Sequence, residues 1–242
     1  MSTTLLTGIH PVREALKAGR TLEHVAIAKG AGGPRLQEII DLCRQQGVPV
    51  RFEQRSVLDR AANDQPHQGV MAYGAALKYR DLAEIATSTN LLVVLDGVED
   101  PHNLGAVVRT ANAAGAGGVI IPERRAAGVT EVVGKAAAGA LEHVPIIRVG
   151  NINRALDGLK KTGFWIYGLD ERGTVDHDTT EYNTPTVFVM GGEGKGLHQL
   201  TRECCDVLVR IPMSGTIPSL NVSVATGIVL FEWKRRQRTS VS

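Results

Sequence analysis

The sequence has few of the residues that mark several common protein classes. Only 4% of its residues are aromatic, so we expect no surface of interleaved aromatic side chains for stacking single-stranded nucleic acid. Its cysteines, Cys43, Cys204 and Cys205, form no CxxC pair, and adjacent cysteines do not easily bridge each other. The sequence therefore supports neither a disulfide framework nor a zinc site. The seven histidines show no HxxxH or HExxH spacing, so no metal is expected.

Long apolar runs and a targeting signal are also missing from the sequence. No window approaches 18 consecutive apolar residues, the length that a membrane-spanning helix needs. The first six residues, Met-Ser-Thr-Thr-Leu-Leu, lack the basic stretch followed by an apolar stretch that a signal peptide requires. We therefore expect no membrane association and a cytoplasmic location.

The net charge of +2 is divided unevenly along the chain. Residues 1–80 hold 11 Lys and Arg against 7 Asp and Glu, which gives +4, and residues 81–242 hold 16 against 18, which gives −2. Such a division suits a basic module that meets a polyanion beside a neutral catalytic or cofactor module. Solvated charged surfaces give the same counts, so the charge division alone does not show that residues 1–80 bind a polyanion.

The pattern of apolar residues predicts two α/β domains. Residues 1–75 alternate short helical and strand patterns, and residues 76–90 change in composition and predict a linker with a short helix. Residues 91–242 alternate strands with helical segments, which predicts a mostly parallel sheet covered by helices on both faces. The strands predicted in this part are 91–96, 118–121, 145–149, 164–169, 186–190 and 207–211.

The first of three polar loops follows the strand predicted at 91–96. Parallel α/β sheets place ligands at the carboxyl ends of their strands, where this loop lies. Asp100 or Asn103 can cap a helix that starts near Leu104. Arg109 then lies more than one turn into the helix among small apolar residues, so it needs a partner unless it is a surface arginine of an amphipathic helix.

The second loop has the sequence Met190-Gly-Gly-Glu-Gly-Lys-Gly196. Its glycines let a ligand approach the backbone, but their spacing matches neither GxGxxG nor GxxxxGK[ST]. Glu193 would repel a phosphate, so its carboxylate is better suited to orienting an arginine or a polar group of a ligand.

The third loop, residues 212–219, leads into an apolar run whose length favours a helix. Ser219 is placed where an N-cap belongs, and the small residues of the first turns would let another backbone approach closely. Taken alone, this stretch is equally consistent with a C-terminal helix that only packs on the core.

Together these stretches resemble a known family, the SpoU (TrmH) branch of the SPOUT RNA 2′-O-methyltransferases. Near the N-terminus, Gly8-Ile-His-Pro-Val and His67-Gln-Gly are similar to the substrate-binding domain of the bacterial members that methylate a guanosine ribose in 23S rRNA. The resemblance covers nearly the whole chain. The three family motifs are matched by Asn103-x-Gly-x-x-x-Arg109, by Met190-Gly191-x-Glu193-Gly-x-Gly196, and by Ile211-Pro-Met followed by Ser219-Leu-Asn221-Val-Ser.

The resemblance implies a fold, a cofactor and a partner. It implies a ribosomal-protein-like RNA-binding domain over residues 1–75, a linker over 76–90 and a SPOUT methyltransferase domain with a trefoil knot over 91–242. It also implies S-adenosyl-L-methionine bound in the knot, no metal, a homodimer with the active site at the subunit interface, and 23S rRNA or a pre-ribosomal particle as substrate. Position by position, it assigns cofactor contacts to Gly191, Ile211 and Leu220, and the catalytic group to Asn103, Arg109, Glu193, Ser219 and Asn221.

The chemistry of Arg109 limits its role. A guanidinium with a pKa above about 12 is a poor proton acceptor. We therefore expect Arg109 to stabilise the developing 2′-alkoxide and to grip the adjacent phosphate, with Glu193 positioning it. Apart from Asp100 and His102 the motifs offer no obvious base, so the final proton acceptor stays open.

Three alternatives stay open at this point. The first is that the target is a different rRNA or tRNA nucleotide. The second is a catalytically inactive RNA-binding relative, and the third is an α/β enzyme that uses another adenine cofactor.

Overall fold

The structure is a computed structural model that describes residues 3–63, 66–75, 78–194, 196–216 and 219–239, without the side chains of Thr3, Glu131 and Thr239. The chain forms two compact units, one of Met1–Lys78 with Val129–His143 and one of Tyr79–Gly128 with Val144–Ser242. No helix in the described part of the chain combines the length and apolar character that crossing a membrane requires.

The elements alternate between helix and strand along most of the chain. In order they are β1 (Thr3–Thr7), α1 (Ile9–Lys17), β2 (Leu22–Ala28), α2 (Pro34–Gln46), β3 (Val50–Glu53), α3 (Arg55–Ala61), β4 (Val70–Ala75), α4 (Leu82–Ala86), β5 (Leu91–Asp96), α5 (Pro101–Ala114), β6 (Gly118–Pro122), α6 (Glu131–Ala137), a 3₁₀ turn (Ala140–Glu142), β7 (Ile146–Val149), α7 (Ile152–Lys161), β8 (Trp165–Leu169), β9 (Val175–Asp176), β10 (Thr186–Gly191), α8 (Gln199–Glu203), β11 (Val207–Arg210) and α9 (Val222–Thr239).

The first unit is built on a four-stranded sheet in the order β1-β4-β2-β3. Strand β4 runs antiparallel to β1 and β2, and β2 runs parallel to β3. Helix α2 shows how local chemistry sets the ends of an element: Pro34 fits the first helical position, and Gly47 ends the helix in the left-handed conformation, as the sequence predicts. The small α/β domain predicted here is confirmed, with β1 as a strand that the pattern did not reveal.

Residues 129–143 belong to the first unit although they lie between β6 and β7 of the second. Arg20 and Glu142 form an ion pair at 2.6 Å whose side chains are only 7% and 5% exposed. Arg20 also donates a hydrogen bond of 2.7 Å to the carbonyl of Ala75, so its buried charge is well satisfied. His143 lies 3.0 Å from the carboxylate of Glu14, which links this segment also to α1.

The second unit contains a seven-stranded sheet in the order β7-β6-β5-β10-β8-β11-β9, in which every recorded strand pair is parallel. This confirms the predicted mostly parallel sheet. The central strands β5 and β10 are buried along nearly their whole length, as expected for a sheet covered on both faces. Their register places Gly191 opposite Asp96, so the first two polar loops leave the sheet side by side.

Helix α9 packs against α5. A Cβ atom added at Gly227 would lie 3.7 Å from Thr110 Cγ2, so the small residues of α9 do permit the close approach that the sequence predicts. Further along α9, the buried Trp233 donates a hydrogen bond of 2.8 Å from Nε1 to Thr186 Oγ1. These contacts hold α9 against α5 and β10.

Glu232 on α9 should make stability depend on pH in acid solution. Hydrogen bonds from Arg235 and then Arg236 lower its pKa from the ordinary 4.5 to about 2. Because the folded-state pKa is depressed, the carboxylate stabilises the fold above pH 4.5, and this stabilisation is lost as the pH falls toward 2. In denaturant titrations across this range, Glu232→Gln should remove part of the pH dependence of the unfolding free energy. Glu181 is exposed, and Glu181→Gln is the control. Equal effects of the two substitutions on the pH dependence of the unfolding free energy would refute this role of Glu232.

Candidate active site

The first polar loop ends in a capped helix. The Asp100 side chain accepts a hydrogen bond of 2.8 Å from the backbone N–H of His102, and Pro101 occupies the first helical position. Helix α5 therefore starts three residues before Leu104, the expected start. Of the two predicted caps, Asp100 is correct and Asn103 is wrong. Asn103 instead lies inside the first turn.

Asn103 connects the three polar loops. Its side chain is buried, with the residue only 7% exposed. Its amide Nδ2 donates a hydrogen bond to Glu193 Oε1, and its Oδ1 accepts one of 2.9 Å from Asn221 Nδ2. Because a buried amide is costly unless it is paired, these two bonds tie the second and third loops to the start of α5. We call Glu193, Asn103 and Asn221 the motif triad.

The N-cap of α9 is Asn221 and not Ser219. Asn221 Oδ1 accepts hydrogen bonds from the backbone N–H of Ser223 at 2.9 Å and from Ser223 Oγ at 2.6 Å, and the helix begins at Val222. The expectation for Ser219 was therefore wrong by two residues. Ser219 is exposed in the loop before the helix.

The second loop folds tightly on itself. The backbone N–H of Gly196 donates a hydrogen bond of 3.1 Å to the carbonyl of Gly192, and these two residues form an isolated bridge. A Cβ atom added at Gly191 would lie 2.1 Å from the carbonyl carbon of Gly196. The glycine at 191 is thus required by the loop's own backbone, whereas the sequence suggested that it leaves room for a ligand.

Two buried carboxylates support the loops, and the sequence analysis missed both. Asp170 follows β8 and accepts hydrogen bonds from Arg172 Nε at 2.8 Å and Arg202 Nε at 3.0 Å. Burial alone would raise the pKa of Asp170, but hydrogen bonds from the two arginines outweigh it and hold the pKa below its ordinary value. Gly196 approaches this carboxylate, since a Cβ atom added there would lie 3.7 Å from Asp170 Oδ2.

Asp96 is the second such carboxylate. It ends β5 and is 5% exposed. One carboxylate oxygen accepts a hydrogen bond of 2.9 Å from the backbone N–H of His198, and the other accepts one of 2.9 Å from the ring Nδ1 of the same residue. Asp96 and Asp170 share a sequence signal, because each stands at the carboxyl end of an apolar strand of the parallel sheet. That shared position could have identified them.

The residues assigned to the cofactor lie at the carboxyl ends of neighbouring strands. Strands β10 and β11 flank β8, so Gly191 and Ile211 are separated by two strand spacings, or about 10 Å. Leu220 and Met213 are 38% and 40% exposed, so their apolar side chains are accessible at this edge. Within the described residues, which exclude Ile217 and Pro218, this edge offers apolar side chains beside glycine backbone.

Arg109 is not part of the motif triad within one chain. It is exposed on α5 and makes no ion pair or side-chain hydrogen bond in the part of the chain that the structure describes. Arg109 lies six residues after Asn103, which places the two side chains about 120° apart around the helix axis. The expected contact with Glu193 is therefore not formed inside one subunit.

Metal-binding side chains do not gather in groups of three or more among the described residues.

Comparison with known proteins identifies the family. Residues 90–231 match the SpoU rRNA Methylase family, and residues 5–80 match the RNA 2′-O ribose methyltransferase substrate-binding family. The chain is 40% identical over 236 residues to YacO of Bacillus subtilis (strain 168), which is assigned to the TrmH family of tRNA/rRNA methyltransferases; the match covers 95% of this chain and 94% of YacO.

Solved structures give the same result. The SpoU methyltransferase AviRb from Streptomyces viridochromogenes, in complex with the cofactor AdoMet, aligns with a TM-score of 0.83 at 26% identity, covering 98% of this chain and 91% of AviRb. An AdoMet-bound rRNA methyltransferase from Sinorhizobium meliloti aligns with a TM-score of 0.82 at 28% identity, covering 96% and 87% of the two chains. The chain therefore belongs to the SpoU (TrmH) family of RNA methyltransferases.

Proposed function

We propose that this protein transfers the methyl group of S-adenosylmethionine to the ribose 2′-OH of a guanosine in 23S rRNA, either free or in a pre-ribosomal particle, in the cytoplasm. The observation that carries the proposal is the motif triad, which joins the three loops matched to the family motifs through hydrogen bonds of Asn103. Membership of the family and the AdoMet complexes of AviRb and the Sinorhizobium enzyme support the cofactor.

The cofactor would lie against Gly191, Ile211 and Leu220. The exposed Leu220 and Met213 side chains suit the apolar face of an adenine, and the glycine backbone suits its polar edge. When bound, S-adenosylmethionine supplies an electrophilic methyl group. We further propose that the C-terminal part is threaded as a trefoil knot, as the family resemblance implies.

Arg109 would act across a subunit interface. It points away from the triad of its own chain and has no partner among the described residues, so we propose a homodimer in which it reaches the active site of the second subunit. There its guanidinium would stabilise the developing 2′-alkoxide and hold the adjacent phosphate. Glu193, fixed by Asn103, would orient that guanidinium, while Asn221 and the exposed Ser219 would line the ribose side of the site.

Methyl transfer by the purified protein to defined RNAs tests the function. We expect radiolabel from the methyl group of S-adenosylmethionine to enter a 23S rRNA transcript, and nucleoside analysis to recover it as 2′-O-methylguanosine. A 16S rRNA transcript and bulk tRNA are the matched controls. Label in tRNA, on a base, or in another ribose would contradict the proposed target. No transfer either to these RNAs or to pre-ribosomal particles would favour an inactive RNA-binding relative.

A further inference from the structure

A cleft opens in the second unit, which holds the methyltransferase family match, next to the second polar loop. It has a volume of about 440 Å³ and lies where β5, β6 and β7 end and helices α7 and α8 begin. Its border reaches the second polar loop, because a Cβ atom added at Gly192 would lie 2.3 Å from the carbonyl oxygen of Gly97 in the cleft wall. Gly191, Ile211 and Leu220 do not line it. We call it the strand-end cleft.

Two adjacent arginines line the strand-end cleft. Arg124 and Arg125 follow β6 after one intervening residue, Glu123, and both line the cleft. Arg125 has a φ of 57°, a left-handed conformation that is uncommon outside glycine. The backbone therefore turns at the point where two consecutive residues line the same cleft. Within the described ranges neither guanidinium makes an ion pair or a hydrogen bond, so both keep their donors for a ligand.

Two acidic residues lie near the strand-end cleft, Asp96 in its lining and Glu123 next to the lining residue Gly150. Both carboxylate oxygens of Asp96 are engaged by His198, and the residue is buried. The bond to Nδ1 fixes the imidazole, whose side chain is 54% exposed and also lines the cleft. Glu123 precedes the arginines in the chain, and its Oε2 lies 3.8 Å from the Cβ position at Gly150 in the cleft wall.

We infer that the strand-end cleft binds phosphodiester groups of the substrate RNA that flank the nucleotide held at the motif triad. This inference rests on the proposed function. Guanidinium groups bind phosphates through paired N–H donors, and phosphate contacts fix the register of a nucleic acid without reading its sequence. The strand-end cleft thus positions the RNA chain, while the motif triad and Arg109 act on the ribose.

Removal of both positive charges from the cleft tests the inference. The double variant Arg124→Gln/Arg125→Gln is compared with Arg154→Gln/Lys161→Gln, which removes two exposed charges from α7 of the same unit outside the cleft. Binding of a 23S rRNA transcript to the full-length proteins is measured by filter binding at several salt concentrations. Calorimetry with S-adenosylmethionine and thermal unfolding are recorded for each protein.

We expect the cleft variant to lose RNA affinity on the order of tenfold, and the slope of log affinity against log salt to decrease by roughly 1 to 2, since each lost phosphate contact contributes about 0.7 to 0.9. Cofactor affinity should stay unchanged, and the α7 variant should behave as the wild type. Equal RNA binding by the two double variants would overturn the inference. If the wild-type protein still methylates RNA in that case, the proposed function would stand.

If the cleft variant, and not the α7 variant, lost affinity for S-adenosylmethionine, the cleft would be assigned to the carboxylate of the cofactor. That result would overturn its assignment to RNA. A wild-type protein that neither binds nor methylates RNA would overturn both proposals.

Discussion

Replacement of Arg109 by alanine is expected to reduce methyl transfer by a factor on the order of a hundred or more, the scale for losing one preorganised charge-stabilising donor. The side chain is exposed and makes no ion pair or side-chain hydrogen bond in the described part of the chain, so folding and cofactor binding should be nearly unchanged. The measurement is the single-turnover transfer rate at saturating RNA, with cofactor affinity and thermal unfolding recorded alongside.

Arg109→Lys is the matched control for charge. We expect it to restore little activity, because an ammonium keeps the positive charge but lacks the planar fork that can hold Glu193 and a phosphate together. Single-turnover rates close to wild type in Arg109→Ala would exclude the residue from the mechanism. Full rescue by lysine would show that only the charge matters.

Gly191→Val is expected to abolish cofactor binding. The added side chain would start 2.1 Å from the carbonyl carbon of Gly196, so the second loop cannot keep its closed shape at the carboxyl end of β10. Isothermal titration with S-adenosylmethionine measures the loss. Gly158→Val is the matched control, because a Cβ atom there meets nothing within 4 Å and the position lies on α7. A folded Gly191→Val protein with wild-type cofactor affinity would contradict the proposed cofactor site.

The sheet of the methyltransferase unit could be predicted from the sequence because its strands are buried on both faces and read as short apolar runs. The prediction for β5 matches the structure at both ends, and those for β6 and β10 differ only at their last residue. Strand β9 has two residues and pairs at the edge of the sheet, so it leaves no pattern to read. The proposed knot has no local sequence signature, and only the family resemblance suggests it.

The ends of the helices near the site were harder to predict. Ser219 and Asn221 are both good N-cap residues, and their intrinsic preferences differ little. The third loop uses Asn221, whose amide also reaches Asn103, 118 residues earlier in the chain. A contact over that distance cannot be inferred from the composition of a loop, so the choice between the caps required the structure.

The attachment of residues 129–143 to the first unit could not be predicted for the same reason. Arg20 and Glu142 are ordinary surface residue types in the sequence, and nothing local indicates that they form a buried pair across 122 positions. The role of Asp96 as the partner of His198, 102 positions away, was hidden for the same reason. Sequence patterns therefore identified which loops form the candidate site, and tertiary contacts determine which side chains meet there.

We propose that the protein methylates one guanosine ribose in 23S rRNA through this site. The most direct test is a map of ribose methylation across the rRNA of cells that lack the protein, restored with either the wild-type chain or Arg109→Ala. We predict that one 2′-O-methylguanosine of 23S rRNA disappears without the protein and returns only with the wild type. An unchanged rRNA map, or a full return of the methyl group with Arg109→Ala, would contradict the account.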